Sequence, residues 1–165
     1  SGGGNIFGTE LQFALPLNVV ADFLDGFGIL GYYTHLDNNV KVNNQQPDII
    51  GLSDESYGIT AYFEKMGFEA RVSGNYRSEY TAEVRGGNNG LQNTSVLATE
   101  LWDAQIGYDF GRGGFSGALG GLGVFLSGSN LTNEPYVQFE HDDERQITRY
   151  SNYGRNYQLG LRYKF

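Results

Sequence analysis

Two imidazoles, His35 and His141, are the only side chains in this 165-residue chain suited to acid–base work near neutral pH. They lie far apart in the sequence, and neither accompanies a nucleophile-elbow serine. Surface or rim positions are the better reading for both, and a Ser-His hydrolase is the weaker one. His141-Asp142-Asp143-Glu144 gathers carboxylates but lacks the glycine and spaced oxygen ligands of a calcium loop, so a solvated acidic loop is expected. Gly111-Arg-Gly-Gly114 and the glycines of 117–123 have neither the Lys-Ser/Thr pair nor the following helix of a phosphate cradle; they read as a flexible hairpin connection. With no cysteine, no thiolate nucleophile or thiolate metal site exists in this chain. No enzyme, no metal site and no cofactor are expected.

The polar residues that remain lie in a pattern. Glu69, Arg71, Asn75, Arg77, Asp103 and Arg162 all fall at every-second positions inside alternating segments, opposite apolar partners. Full charges of both signs in mid-strand suit a hydrated lumen better than a packed interior. The segment that shows this most plainly is the last. Tyr157, Leu159, Leu161, Tyr163 and Phe165 share one face, and Asn156, Gln158, Gly160, Arg162 and Lys164 the other. Such a strand has its apolar face either on a soluble core or on lipid.

The composition agrees with an all-β chain: 25 Gly, 12 Tyr and 11 Phe against 3 Pro. No apolar run approaches the ~20 residues a transmembrane helix needs, a limit that does not apply to membrane strands. The net charge of −8 and the scattering of 11 basic residues argue against a nucleic-acid partner. Ser1-Gly-Gly-Gly4 has none of the parts of a signal peptide, and the chain is expected to begin inside something larger.

Alternation predicts seven strands, at about 5–15, 27–36, 57–65, 68–79, 100–110, 122–129 and 155–165. In the second, Ile29-Leu30 and Tyr32-Tyr33 leave open which face looks outward. Residues 17–24 read as one helical turn or an irregular turn. The connections alternate between short or Gly-rich turns and long polar loops at about 37–55, 81–99 and 130–153. In an up-and-down sheet every second connection lies at the same end, so the three long loops share one rim. The Asn-rich parts, 37–47 and 86–94, are candidate ligand-gathering surface, since Asn, Gln and Tyr hydrogen-bond neutral ligands. Aromatic residues gather near strand ends, at Phe63 and Phe68, Tyr108 and Phe110, and Tyr163 and Phe165, where interfacial girdles sit.

With Asn130-Leu-Thr-Asn-Glu-Pro-Tyr136 and Tyr153-Gly-Arg-Asn-Tyr-Gln-Leu-Gly-Leu-Arg-Tyr-Lys-Phe165 in view, the chain resembles the C-terminal end of a TonB-dependent outer-membrane receptor. Gly8-Thr-Glu10, Phe27-Gly28 and Tyr32-Tyr33 are similar to that family's later barrel strands. The resemblance implies an antiparallel up-and-down transmembrane β-barrel of about 22 strands around a plug. Residues 1–165 would be one domain supplying about the last seven strands, without the plug or the TonB box. It implies an active transporter in the outer membrane of a Gram-negative bacterium, taking up a ferric siderophore, cobalamin or an oligosaccharide. The implied partners are outer-membrane lipid, the rest of the barrel and plug, TonB, and the small-molecule or oligosaccharide ligand. Gly160, Tyr163 and Phe165 match the family's barrel-insertion signal, although Leu159 stands where that signal has a polar residue. A passive porin-like channel and a soluble β-rich binding module are the rival readings.

Overall fold

The computed structural model describes residues 3–40, 49–87, 90–141 and 143–165. These form an all-β chain of two antiparallel sheets. Numbered along the chain, the strands are β1 (Ile6–Pro16), β2 (Phe27–Asn38), β3 (Glu55–Lys65), β4 (Phe68–Arg77), β5 (Tyr80–Gly87), β6 (Gly90–Val96), β7 (Thr99–Asp109), β8 (Leu122–Ser129), β9 (Tyr136–Glu140), β10 (Asp143–Ser151) and β11 (Asn156–Tyr163). The large sheet runs β1-β2-β3-β4-β7-β8-β11, and the small one β10-β9-β6-β5. The seven strands of the large sheet are the seven that alternation predicts. The sheet is open, with β1 and β11 as its edges.

Register carries the alternation of each strand across the whole sheet. Phe13 lies opposite Gly31, Gly31 opposite Ile59, Ile59 opposite Gly74 and Gly74 opposite Trp102. Lower down, Ala70 faces Ile106, Ile106 faces Leu126 and Leu126 faces Leu159. One face is therefore apolar from edge to edge. The open question of 27–36 is answered by the same register: Phe27, Ile29 and Tyr33 lie on the apolar face, opposite Phe63, Ala61 and Tyr57, while Leu30 and Tyr32 lie on the other.

Bulk is matched to absence of bulk between neighbours. The ring of Phe13 covers Gly31, Trp102 covers Gly74, Tyr62 covers Gly28 and Phe125 covers Gly160, so a Cβ at any of these glycines would meet an aromatic side chain. Pairing a ring with a glycine on the next strand fills the gap in the sheet surface and pins the register.

The three short connections close one end. The β1–β2 connection contains two single 3-10 turns, Leu17–Val19 and Asp22–Leu24, which settles the choice left open for 17–24. Met66 and Gly67 turn β3 into β4 with positive φ at both positions, 52° and 82°. The Gly-rich connection before β8 contains a 3-10 turn at Gly117–Gly121.

At the other end the polar stretches differ from the loops expected at 81–99 and 130–153. The first contains the hairpin of β5 and β6, and the second the hairpin of β9 and β10. Their composition is that of loops because much of their stability comes from each other: β6 pairs with β9, joining the hairpins into one sheet. A bridge between Ser53 and Tyr80, with the Gly51 N–H donating to the Thr81 carbonyl at 2.8 Å, adds the connection before β3 to the same assembly. All three long connections thus meet at one end, as the alternation of their lengths predicts. Residues 41–48, including the Asn43–Pro47 part of the Asn-rich loop, lie outside the described residues, as do Asn88, Asn89 and Asp142.

Candidate functional site

The polar face of the large sheet is built by the same register. β4 places Glu69, Arg71, Ser73, Asn75 and Arg77 on it, opposite Gly107, Gln105, Asp103, Leu101 and Thr99 of β7. β8 adds Ser127 opposite Gln105, and β11 adds Gln158 and Arg162 opposite Ser127 and Gly123. All six residues singled out by alternation therefore share one face. The structure then sorts them by what they touch.

Two are occupied at the short-turn end. Arg112, from the Gly-rich connection, is tied by one guanidinium nitrogen to Glu64 and to Glu69, the latter at 3.2 Å. Arg162 pairs with Asp109 at 2.9 Å. Two more are occupied at the loop end. Arg77 donates from Nε to Ser53 Oγ at 2.6 Å and from its terminal nitrogen to the Gly51 carbonyl at 2.5 Å, with its guanidinium 3.8 Å above the Tyr80 ring. Asp103 accepts the Asn130 backbone N–H at 2.9 Å. Glu69, Arg77 and Asp103 brace the sheet against its connections, and Arg162 braces β11 against β7.

Arg71 and Asn75 occupy the middle of the face. Asn75 Oδ1 accepts from the Tyr32 hydroxyl at 3.5 Å across Gly58, and beside it Thr60 and Ser73 share a hydrogen bond of 2.9 Å. The Arg71 guanidinium has no hydrogen-bond or ion-pair partner among the described residues. It lines a shallow hollow of about 220 Å³ with Ser73, Asp103, Gln105, Ser127 and Ser129. An unpaired cation among hydroxyl and amide groups, with one carboxylate already accepting a backbone N–H, can attract and orient an anionic or oxygen-rich solute.

The loop end forms a second polar surface. A cleft of about 650 Å³ lies between the β2–β3 connection and the start of the β4–β7 connection, lined in part by His35, Asp37, Asp54, Glu55, Glu79 and Tyr80. His35 stands 3.5 Å from Asp37 and 3.8 Å from Glu55, whose carboxylate also accepts from the Tyr33 hydroxyl at 3.0 Å. Strand register brings Glu55 to His35, a neighbour sequence distance conceals. His141 sits at the β9–β10 turn with φ of 60°. The Asp143 carboxylate next to it is held by Arg145 at 2.8 and 2.9 Å. This bidentate contact, followed by the Arg145 backbone N–H, lowers its pKa to about 2. That carboxylate is committed to an arginine. On β9, burial pushes the Tyr136 hydroxyl above its ordinary value.

The motif residues near the end of the chain form a knot that their spacing does not announce. Asn130, at φ of 51°, accepts the Glu134 N–H at 2.7 Å and donates to the carbonyls of Glu134 and Gly154 at 3.1 and 3.2 Å. Arg155 Nε donates to the Leu131 carbonyl at 2.8 Å, and the Leu131 N–H donates to the Trp102 carbonyl at 2.8 Å. One amide thus ties the exit of β8 to the entry of β11. Asparagine is suited to the task because it tolerates a left-handed backbone and carries a donor and an acceptor together. Of the three insertion-signal residues, Gly160 lies on the polar face beneath Phe125, while the Tyr163 and Phe165 rings meet edge-on at 5.1 Å.

Compared with protein-family models, with curated proteins and with solved structures, the chain finds no match.

Proposed function

We propose that this chain is wall and outer rim of a TonB-dependent transporter, an outer-membrane β-barrel that takes up a scarce nutrient such as a ferric siderophore, cobalamin or an oligosaccharide. The observation that supports this most is the banding of the apolar face. Its middle is aliphatic, with Ile59, Val72, Ile106, Leu126 and Leu159 all exposed. Toward the loop end runs a row of Tyr33, Tyr57 and Tyr76, the last two stacked at 4.7 Å. Toward the turn end lie Phe27 and Phe63 at 4.5 Å, and Phe63 and Phe68 at 5.8 Å. Aromatic rows bounding an aliphatic band are what the two headgroup interfaces and the hydrocarbon between them select. Leu159 and Leu161, 72% and 73% exposed, would be costly in water as part of so large a contiguous patch.

Strand direction bears on what completes the wall. Seven up-and-down strands leave β1 and β11 running the same way. The two edges do not form an antiparallel pair with each other, so closing the wall needs an odd number of further strands. A barrel of about 22 strands would supply about 15, which is odd. In this reading the polar face looks into the lumen toward the plug, and Arg71 and Asn75 are the groups left to meet plug or solute. The loop-end assembly gathers ligand outside the cell.

Fractionation and uptake test the proposal. The protein should sediment with outer membranes, migrate differently in detergent gels before and after boiling, and support nutrient uptake that stops when the inner-membrane energy supply is uncoupled. Uptake that persists without that energy would replace the transporter with a passive channel. Recovery as a monomer from plain buffer would replace both with a soluble binding module.

A further inference from the structure

The connection between β1 and β2 is apolar and exposed where an aqueous turn would be polar. Val19 is 72%, Val20 67% and Phe23 83% exposed. Part of its backbone is hydrogen-bonded within the connection. Val20 and Ala21 donate to the Leu17 carbonyl at 3.0 and 3.2 Å, Leu24 to Ala21 at 3.0 Å and Asp25 to Asp22 at 3.2 Å. Four N–H groups are thus satisfied within the connection, which lowers the cost of placing it where water is scarce and an unpaired amide costs most.

The connection also leans toward the apolar face of the sheet. Asp25 pairs with Lys65 at 3.0 Å, and a Cβ at Gly26 would meet Phe63 and Lys65, which stand on that face. The ion pair neutralises one of the two carboxylates in the connection. The remaining surface is continuous with the ring cluster of Phe27, Phe63 and Phe68.

We infer that the β1–β2 connection is a membrane foot: Val19, Val20 and Phe23 insert at the boundary between phospholipid headgroups and acyl chains on the short-turn side, setting the depth of the sheet. The inference rests on the lipid-facing reading of the apolar face. Valine and phenylalanine supply the buried apolar area, and the turns satisfy the N–H groups of Val20, Ala21, Leu24 and Asp25 internally.

The chain has no cysteine, so an introduced one reports from its own position. The full-length protein carrying Phe23→Cys, Leu161→Cys or Glu144→Cys is spin-labelled and reconstituted in phosphatidylcholine vesicles. Collisions with oxygen, which concentrates in lipid, are compared with collisions with a water-soluble nickel chelate. The oxygen-to-nickel ratio at position 23 should lie several-fold above that at exposed Glu144 and below that at Leu161. A water-like ratio at 23 with a lipid-like one at 161 overturns the foot and leaves the barrel wall standing. A label at 23 shielded from both reagents shows protein covering it, and overturns the foot equally. A water-like ratio at 161 overturns the barrel wall and the foot together.

Discussion

The two sheets use similar side chains in opposite ways. Every buried hydrophobic residue among those described, Val96, Val137 and Phe139, belongs to the small sheet at the loop end. The large sheet has more than twice the apolar side chains and buries none of them to that degree. Ile59, Ile106, Leu126 and Leu159 share one face, with most of the polar groups on the other. A sheet that makes its own core can persist in water; one that displays its apolar face needs another solvent or another layer to cover it.

Phe139→Ala should separate the two sheets most sharply. Phe139 is 1% exposed and at the centre of the small sheet, so truncation should cost about 3–5 kcal/mol. Hydrogen exchange should show lost protection in β5, β6, β9 and β10 with β1 to β4 unchanged. Equal loss in both sheets would mean they fold as one unit.

Leu161→Arg probes the other side of the comparison. If the apolar face meets lipid as proposed, a cation near mid-membrane there should destabilise the sheet by about 2–4 kcal/mol, measured by urea unfolding from lipid vesicles. Ser127→Arg, on the polar face, should change stability by no more than about 0.5 kcal/mol. Reversal of that order would exchange the roles of the two faces.

Asn130→Ala acts where the sheets are joined. It removes three hydrogen bonds made by one side chain, and about 1–3 kcal/mol is expected from the groups left unpaired. Exchange should quicken around 130–134 and 153–155 and little elsewhere.

The smallest effect is confined to the tip of the small sheet. The pKa of Asp143 is lowered from 3.8 to about 2 by Arg145. A depressed carboxylate stabilises the folded form above its unfolded pKa and loses that contribution as protons bind. Between about pH 4 and pH 2 the β9–β10 turn should therefore loosen, followed by NMR shifts of residues 143–146. Asp143→Asn should remove that pH dependence, leaving the apolar face of the large sheet unaffected.

How much could be read before folding differs between the sheets in the same way. The seven strands of the large sheet are legible because each carries a period of two on its own: Tyr157, Leu159, Leu161 and Tyr163 already declare a face. β2 is the partial exception, since Leu30 and Tyr32 are as apolar as their neighbours. Only pairing shows that Tyr32 turns inward to reach Asn75 across Gly58. The small sheet escaped because polar residues such as Thr81, Thr94 and Ser95 are buried in it. Residues of that kind read as loop until a partner covers them. Among the charged candidates, spacing could place Glu69, Arg71, Arg77, Asp103 and Arg162 on one face, but not foresee that four are braces and one is unpaired.

The sequence by itself determined the seven strands of the large sheet, the faces of all of them but β2, and the alternation of short and long connections, because each depends on local periodicity and turn chemistry. The tertiary structure decided the register, the joining of two polar hairpins into a sheet, the Asn130 knot and the isolation of Arg71. Each of those depends on which distant residue lies opposite, and a period of two says which way a side chain points without saying what it meets.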